Sequence, residues 1–91
     1  MNQEQAKDVA RVGKILSEVT RVLTVAILAK GPRTVGALST ELGVLQPHVS
    51  AHLALLRMEG LVHRTRKGRE MHYSLNRERL TAMKKFLAGL K

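Results

Sequence analysis

Thr34 to Gly60 reads TVGALSTELGVLQPHVSAHLALLRMEG, and this stretch decides the fold. Thr34 is a capping residue, and Val35, Leu38 and Leu42 behind it recur at helical spacing. Gly43 closes that short helix. After a three-residue turn Pro47 suits the opening of a second helix, where its missing N–H costs nothing, with Gln46 at the cap. The second helix runs to Met58 or Glu59, buries Val49, Leu53 and Leu56, and ends at Gly60. Residues 34–59 are therefore expected to form a helix-turn-helix.

Downstream, Leu61 to Leu75 reads LVHRTRKGREMHYSL, two short strands flanking Lys67-Gly68, a hairpin turn signal. Met71, Tyr73 and Leu75 alternate with Glu70, His72 and Ser74, so one face is buried. A turn at Lys67-Gly68 would set His63 directly opposite His72, with Glu70 diagonal. The plain reading is two solvated imidazoles; the sharper one is a pH-sensitive or metal-binding pair. In the final segment Leu80, Met83, Leu87 and Leu90 form one stripe, with Phe86 beside it.

Upstream, residues 1–5 are polar and expected to fray. Val9, Val12 and Leu16 share one face of a helix, whose small Ala6, Ala10 and Gly13 would let another helix approach. Ser17 to Thr20 reads as a break. Arg21 to Lys30 is nearly all apolar, the pattern of a central core helix, and Gly31-Pro32 ends it. The expected fold is mainly α with a small β-hairpin. It is a single winged helix-turn-helix domain over 1–91, with four helices, a wing at 61–75 and a fifth helix.

A 91-residue monomer buries too little surface to be robust, and the last stripe has too little chain left to cover it. A homodimer through the helices at 6–18 and 77–91 is expected, with Val9, Val12, Leu16, Leu80, Met83, Leu87 and Leu90 at its seam.

Sixteen Lys and Arg against seven Asp and Glu give a net charge of +9. Ten of those bases and only three acids lie from Arg57 to Lys91, a one-sided field that suits a polyanion. Tyr73 and Phe86 are the only aromatics, too few to stack successive bases of a single strand, so double-stranded DNA is the expected partner. In the second helix Gln46, His48, Val49, Ser50 and His52 are candidate base-reading residues. Gln pairs with adenine, Ser bonds a base or a phosphate, and Val49 would touch a thymine methyl. Thr34, Arg57, Arg64, Arg66, Lys67 and Arg69 are candidate backbone contacts. His48 and His52 stand four apart, a metal-compatible spacing, but no nearby acid or Cys completes a site.

The chain has no cysteine, which excludes disulfides and thiolate chemistry. The N-terminus lacks an apolar signal core, and the longest apolar run, Val25 to Ala29, cannot span a bilayer. A cytoplasmic protein with no membrane partner is expected. No phosphate-cradling Gly loop, zinc-protease motif or nucleophile elbow occurs, so an enzyme is not expected, nor a cofactor. The competing functional class is a protein-interaction module with weak, non-specific DNA binding.

From Leu16 to Leu75 the chain resembles the ArsR family of bacterial and archaeal repressors. The resemblance is carried by Thr20-Arg21, Val35-x-x-Leu38, Gln46-x-x-Val49-Ser50-x-His52-Leu53, Leu56-Arg57-x-x-Gly60-Leu61-Val62 and Gly68-Arg69-x-x-x-Tyr73-x-Leu75. It implies a homodimer joined through the first and last helices, reading an imperfect palindrome and blocking transcription. Val19 stands where the family usually has Pro, and Leu45 where it usually has Ser. The family's metal-sensing positions fall near Thr34 and Gly36, and near Arg77, Arg79 and Leu90, none of which suits a ligand. The resemblance thus implies a regulator not gated by metal or thiol chemistry, and leaves any effector, small molecule or protein, unspecified.

Overall fold

The computed structural model describes residues 1–88, without the side chains of Phe86 and Leu87. Eight elements follow one another: α1 (Gln3–Ile15), α2 (Val19–Leu28), β1 (Arg33–Thr34), α3 (Val35–Leu42), α4 (Gln46–Met58), β2 (Val62–Lys67), β3 (Glu70–Leu75) and α5 (Arg77–Ala88). Helix, turn and helix followed by a hairpin is the winged helix-turn-helix arrangement expected from the sequence.

Several boundaries move, each for a visible reason. The N-terminus does not fray after Met1. Asn2 caps α1 through a reciprocal box, accepting from the Gln5 N–H at 2.8 Å and donating its own N–H to Gln5 Oε1 at 2.9 Å. Glu18, inside the expected break, caps α2 by accepting from the Arg21 N–H at 3.0 Å, so the helix starts at Val19. Leu45, not Gln46, is the N-cap of α4 and has no side-chain acceptor to offer, so Gln46 falls in the first turn. Asn76 accepts from the Arg79 N–H at 3.3 Å and starts α5.

A third strand joins the hairpin. β1 pairs antiparallel with β3, through Arg33↔Tyr73 and Thr34↔His72, giving the order β1-β3-β2. Two residues are too few to show a strand period, which is why the sequence pattern misses β1. The hairpin register also differs from expectation. Lys67 pairs with Glu70, so the loop is Gly68-Arg69; His63 faces Ser74, and His72 faces Thr65. The cause is local: Gly68 has φ +63°, and among the described residues only glycines have positive φ. A loop of Lys67-Gly68 in the tight primed geometry would have forced positive φ on Lys67; moving Gly to the first loop position avoids that. The opposed histidine pair therefore does not form.

The core is aliphatic, with Leu28, Leu38, Val49, Leu53, Leu56 and Leu61 at most 1 % exposed. α3 and α4 pack here at a fixed angle, closed between them by Gly43 in the left-handed conformation (φ +66°). α2 is not buried all round. Thr24 and Leu28 face the core, while Val19, Val22 and Leu23 are 72 %, 47 % and 50 % exposed. With only α3, α4 and the sheet to pack against, α2 can cover a single face.

α1 and α5 are pinned together by charge. Arg79 grips Asp8 with two hydrogen bonds of 2.7 Å and donates from Nε to the Glu59 carbonyl at 3.1 Å. The Arg79 hydrogen bonds hold the Asp8 carboxyl below its ordinary range, outweighing partial desolvation, and the same pairing raises Arg79. Between the two helices runs an open apolar groove of about 630 Å³, lined by Val9, Val12, Gly13, Leu16, Leu80 and Met83 among others.

Candidate nucleic-acid interface

α4 sorts its residues by face. Val49, Leu53 and Leu56 lie in the core, and Gln46, Pro47, His48, Ser50, Ala51, Ala54 and Arg57 are exposed. Gln46, Ser50 and Arg57 recur at i, i+4 and i+11 and form one flank of the outward face; His48 lies on the other. Thus three of the five expected base readers stand on accessible surface. Val49 does not. At 1 % exposure it packs in the core, so its methyls cannot reach a thymine. Its hydrophobic character, taken for a base contact, serves helix packing instead.

His52 is also turned inward. Its Nδ1 lies 3.2 Å from Arg21 Nη1 and its Nε2 3.9 Å from Glu18 Oε2, with the side chain 21 % exposed. A guanidinium can only donate, so Nδ1 is the acceptor and the ring proton sits on Nε2, toward Glu18. Arg21 also donates from Nε to the Ile15 carbonyl, tying α4 to the α1–α2 junction. Desolvation works to raise the Glu18 carboxyl, but N–H groups of Thr20 and Arg21, the Thr20 hydroxyl and nearby His52 lower it. His52 thus braces the helix rather than projecting from it. His48 and His52 point to different sides, and among the described residues no three His, Asp or Glu side chains converge as a metal site.

Thr34 accepts from the Ala37 N–H at 3.1 Å and so caps α3 as expected, a role that uses one lone pair of its hydroxyl and not its O–H donor. Several cations are held by partners. Arg33 is held by Glu41 at 2.7 Å, Arg11 by Asp8 and Glu59, Arg77 by the Ala29 carbonyl and Arg79 by Asp8. Arg57 and the wing residues Arg64, Arg66, Lys67 and Arg69 are exposed and form no ion pair among the described residues. α4 itself contains no acid, so nothing neutralises that side locally. Five exposed cations without an ion pair among the described residues thus stand on α4 and on the hairpin that follows it in the chain. Such a field suits a phosphate backbone, and the exposed helix has the diameter to enter a major groove.

Of the expected seam residues, Val12 and Met83 are only 4 % and 6 % exposed within the single chain, so they form the floor of the α1–α5 groove and belong to the core. Val9, Leu16 and Leu80 are half-buried on its walls. The Leu87 side chain and Leu90 lie outside the described residues. No helix of the described residues is long and apolar enough to cross a membrane.

Comparison with known proteins agrees with this arrangement. Residues 18–64 match the family model described as bacterial regulatory protein, arsR family. The chain is similar to a biofilm growth-associated repressor of Xylella fastidiosa, 34 % identical over 73 residues, covering 80 % of this chain and 64 % of the relative. It thus spans just under two thirds of that protein's length. Among solved structures, an ArsR-like transcriptional regulator from a Rhodococcus species superposes with a TM-score of 0.88 at 26 % identity, covering 96 % of this chain and 82 % of that one. A homodimeric winged helix-turn-helix DNA-binding domain from Mycobacterium bovis gives 0.78 at 34 % identity, covering 98 % and 88 %. The family model spans the whole helix-turn-helix and half of the chain: this protein belongs to the arsR family of bacterial regulatory proteins, a family of regulators and not of enzymes.

Proposed function

We propose that the protein is a homodimeric repressor that reads a palindromic operator in double-stranded DNA with α4, and grips the adjoining backbone with the wing. The observation that carries this reading is an acid-free helix with a solvent-facing side, followed in the chain by a hairpin whose four cations, like Arg57, are exposed and form no ion pair among the described residues. Gln46, His48 and Ser50 are the base-reading side chains; Arg57, Arg64, Arg66, Lys67 and Arg69 hold phosphates. Repressors among its relatives and a homodimeric neighbour support repression and pairing. The apolar groove between α1 and α5 is the surface the second copy covers, and it sets the two α4 helices at a fixed spacing. The protein works on the nucleoid in the cytoplasm.

Operator binding is independent of metal and thiol chemistry, because the chain has no cysteine and its histidines do not converge. The test is enrichment of duplexes from a random library, followed by competition with random DNA at several salt concentrations. A selected inverted repeat bound far more tightly than random duplex supports the reading. Equal affinity for both would overturn it in favour of a non-specific basic module. Zinc, arsenite and a thiol oxidant at micromolar levels are expected to leave the retarded band unchanged.

A further inference from the structure

We propose that Ala51 reads the 5-methyl group of a thymine in each half-site, and so is a specificity-determining residue of the recognition helix. The proposal rests on the DNA-reading role of α4 given above and assigns to Ala51 the contact that buried Val49 cannot make.

Pro47, Ala51, Ala54 and Met58 follow one another at i, i+4, i+7 and i+11 and are all exposed. They lie on the side of α4 opposite Val49, Leu53 and Leu56, so they form the line that would penetrate a groove most deeply. Polar side chains stand on the flanks, Gln46, Ser50 and Arg57 to one side and His48 to the other, and the one long side chain on the line itself, Met58, lies at its C-terminal end. Base contacts of a recognition helix come from its N-terminal turns, which leaves Pro47 and Ala51 as the deep residues and places Ala54 and Met58 farther along.

A lone Cβ methyl has no donor or acceptor. Pressed against guanine, adenine or cytosine it would strip water from a polar edge and return no hydrogen bond, an unfavourable exchange. Thymine alone offers a methyl in the major groove, and there the contact removes apolar surface from water on both sides. The side chain is also short enough to let the flanking Gln46 and Ser50 reach neighbouring base edges. Ala51 thus combines close approach with a preference for one base.

The experiment uses the duplex enriched by selection, with each thymine replaced in turn by deoxyuridine, which removes only the methyl. Wild-type protein is expected to lose about threefold to fivefold affinity at one thymine per half-site, the effect of one buried methyl. Ala51→Gly should bind the thymine and deoxyuridine duplexes equally at that position. Any general loss of helix stability from glycine affects both duplexes alike and cancels in the ratio. Full retention of wild-type affinity at every replaced thymine would overturn the proposal, as would a sensitive thymine that stays sensitive in Ala51→Gly but not in Ala54→Gly. If selection enriches no sequence at all, the operator-reading function falls together with it; an enriched sequence indifferent to deoxyuridine sinks only the assignment of Ala51.

Discussion

Val49 and Ser50 are neighbours in the chain and opposites in function, because successive helical residues point about 100° apart. Val49→Ala removes two methyls from a site that is 1 % exposed and should lower unfolding free energy by about 2–3 kcal/mol. Urea denaturation would register it as a lower midpoint. Gln46→Ala and Ser50→Ala touch exposed residues and should leave that midpoint within about 0.5 kcal/mol. Their effect appears in binding: about 1–3 kcal/mol lost for selected duplex, with little change for random duplex. Equal losses on both duplexes would show that neither side chain reads bases. At this scale the outward placement of Gln46, His48 and Ser50 was legible from residue type and position. Val49 and His52 were not, since a helix of mixed composition leaves its orientation to the neighbours it packs against.

The wing behaves as an element whose charge is free and whose shape is fixed by one glycine. Arg66→Ala and Lys67→Ala should weaken binding to every duplex and reduce the slope of log affinity against log salt by about one unit each. An unchanged slope would remove these residues from the backbone contacts. The α1–α5 pair makes a different prediction, because Asp8 is bound to Arg79 through two 2.7 Å hydrogen bonds. Folding lowers the Asp8 pKa, so the pair contributes stability above the ordinary carboxylate value of 3.8 and loses it as pH falls through the lower folded value. Asp8→Asn should therefore cost about 1–2 kcal/mol at neutral pH, a range kept modest because both partners are partly solvated. The gap between variant and wild type should close in urea titrations as pH falls through the lowered folded value of Asp8. A gap of constant size across that range would mean that the carboxylate charge is not what holds the helices.

For the whole molecule the homodimer reading turns on the α1–α5 groove. Gly13 lines that groove, and a Cβ built on it meets nothing within 4 Å in the single chain. Gly13→Ala should then favour the α1 helix by about 1 kcal/mol while intruding on whatever helix lies against it. In the homodimer reading, sedimentation equilibrium will show weaker self-association than wild type, and operator binding will become more dependent on protein concentration. Unaltered association would place the dimer contact elsewhere, and wild type that stays monomeric at tens of micromolar would remove the dimer altogether.

The chain's own pattern determined the helix-turn-helix, the wing, the aliphatic core and the concentration of charge, because those follow from local spacing, capping residues and turn chemistry. Tertiary structure alone decided the rest. β1 was set by a neighbouring strand edge offering hydrogen bonds to two residues with no period of their own, whereas the hairpin register, misplaced by one residue in the sequence reading, has a local cause in the positive φ of Gly68. The exposed side of α2, the inward turn of His52 and the outward line through Ala51 depend on which faces the other elements cover. Apolar and polar periodicity marks that a face is buried; it does not say against what, and that is fixed only when all the elements compete for the same core.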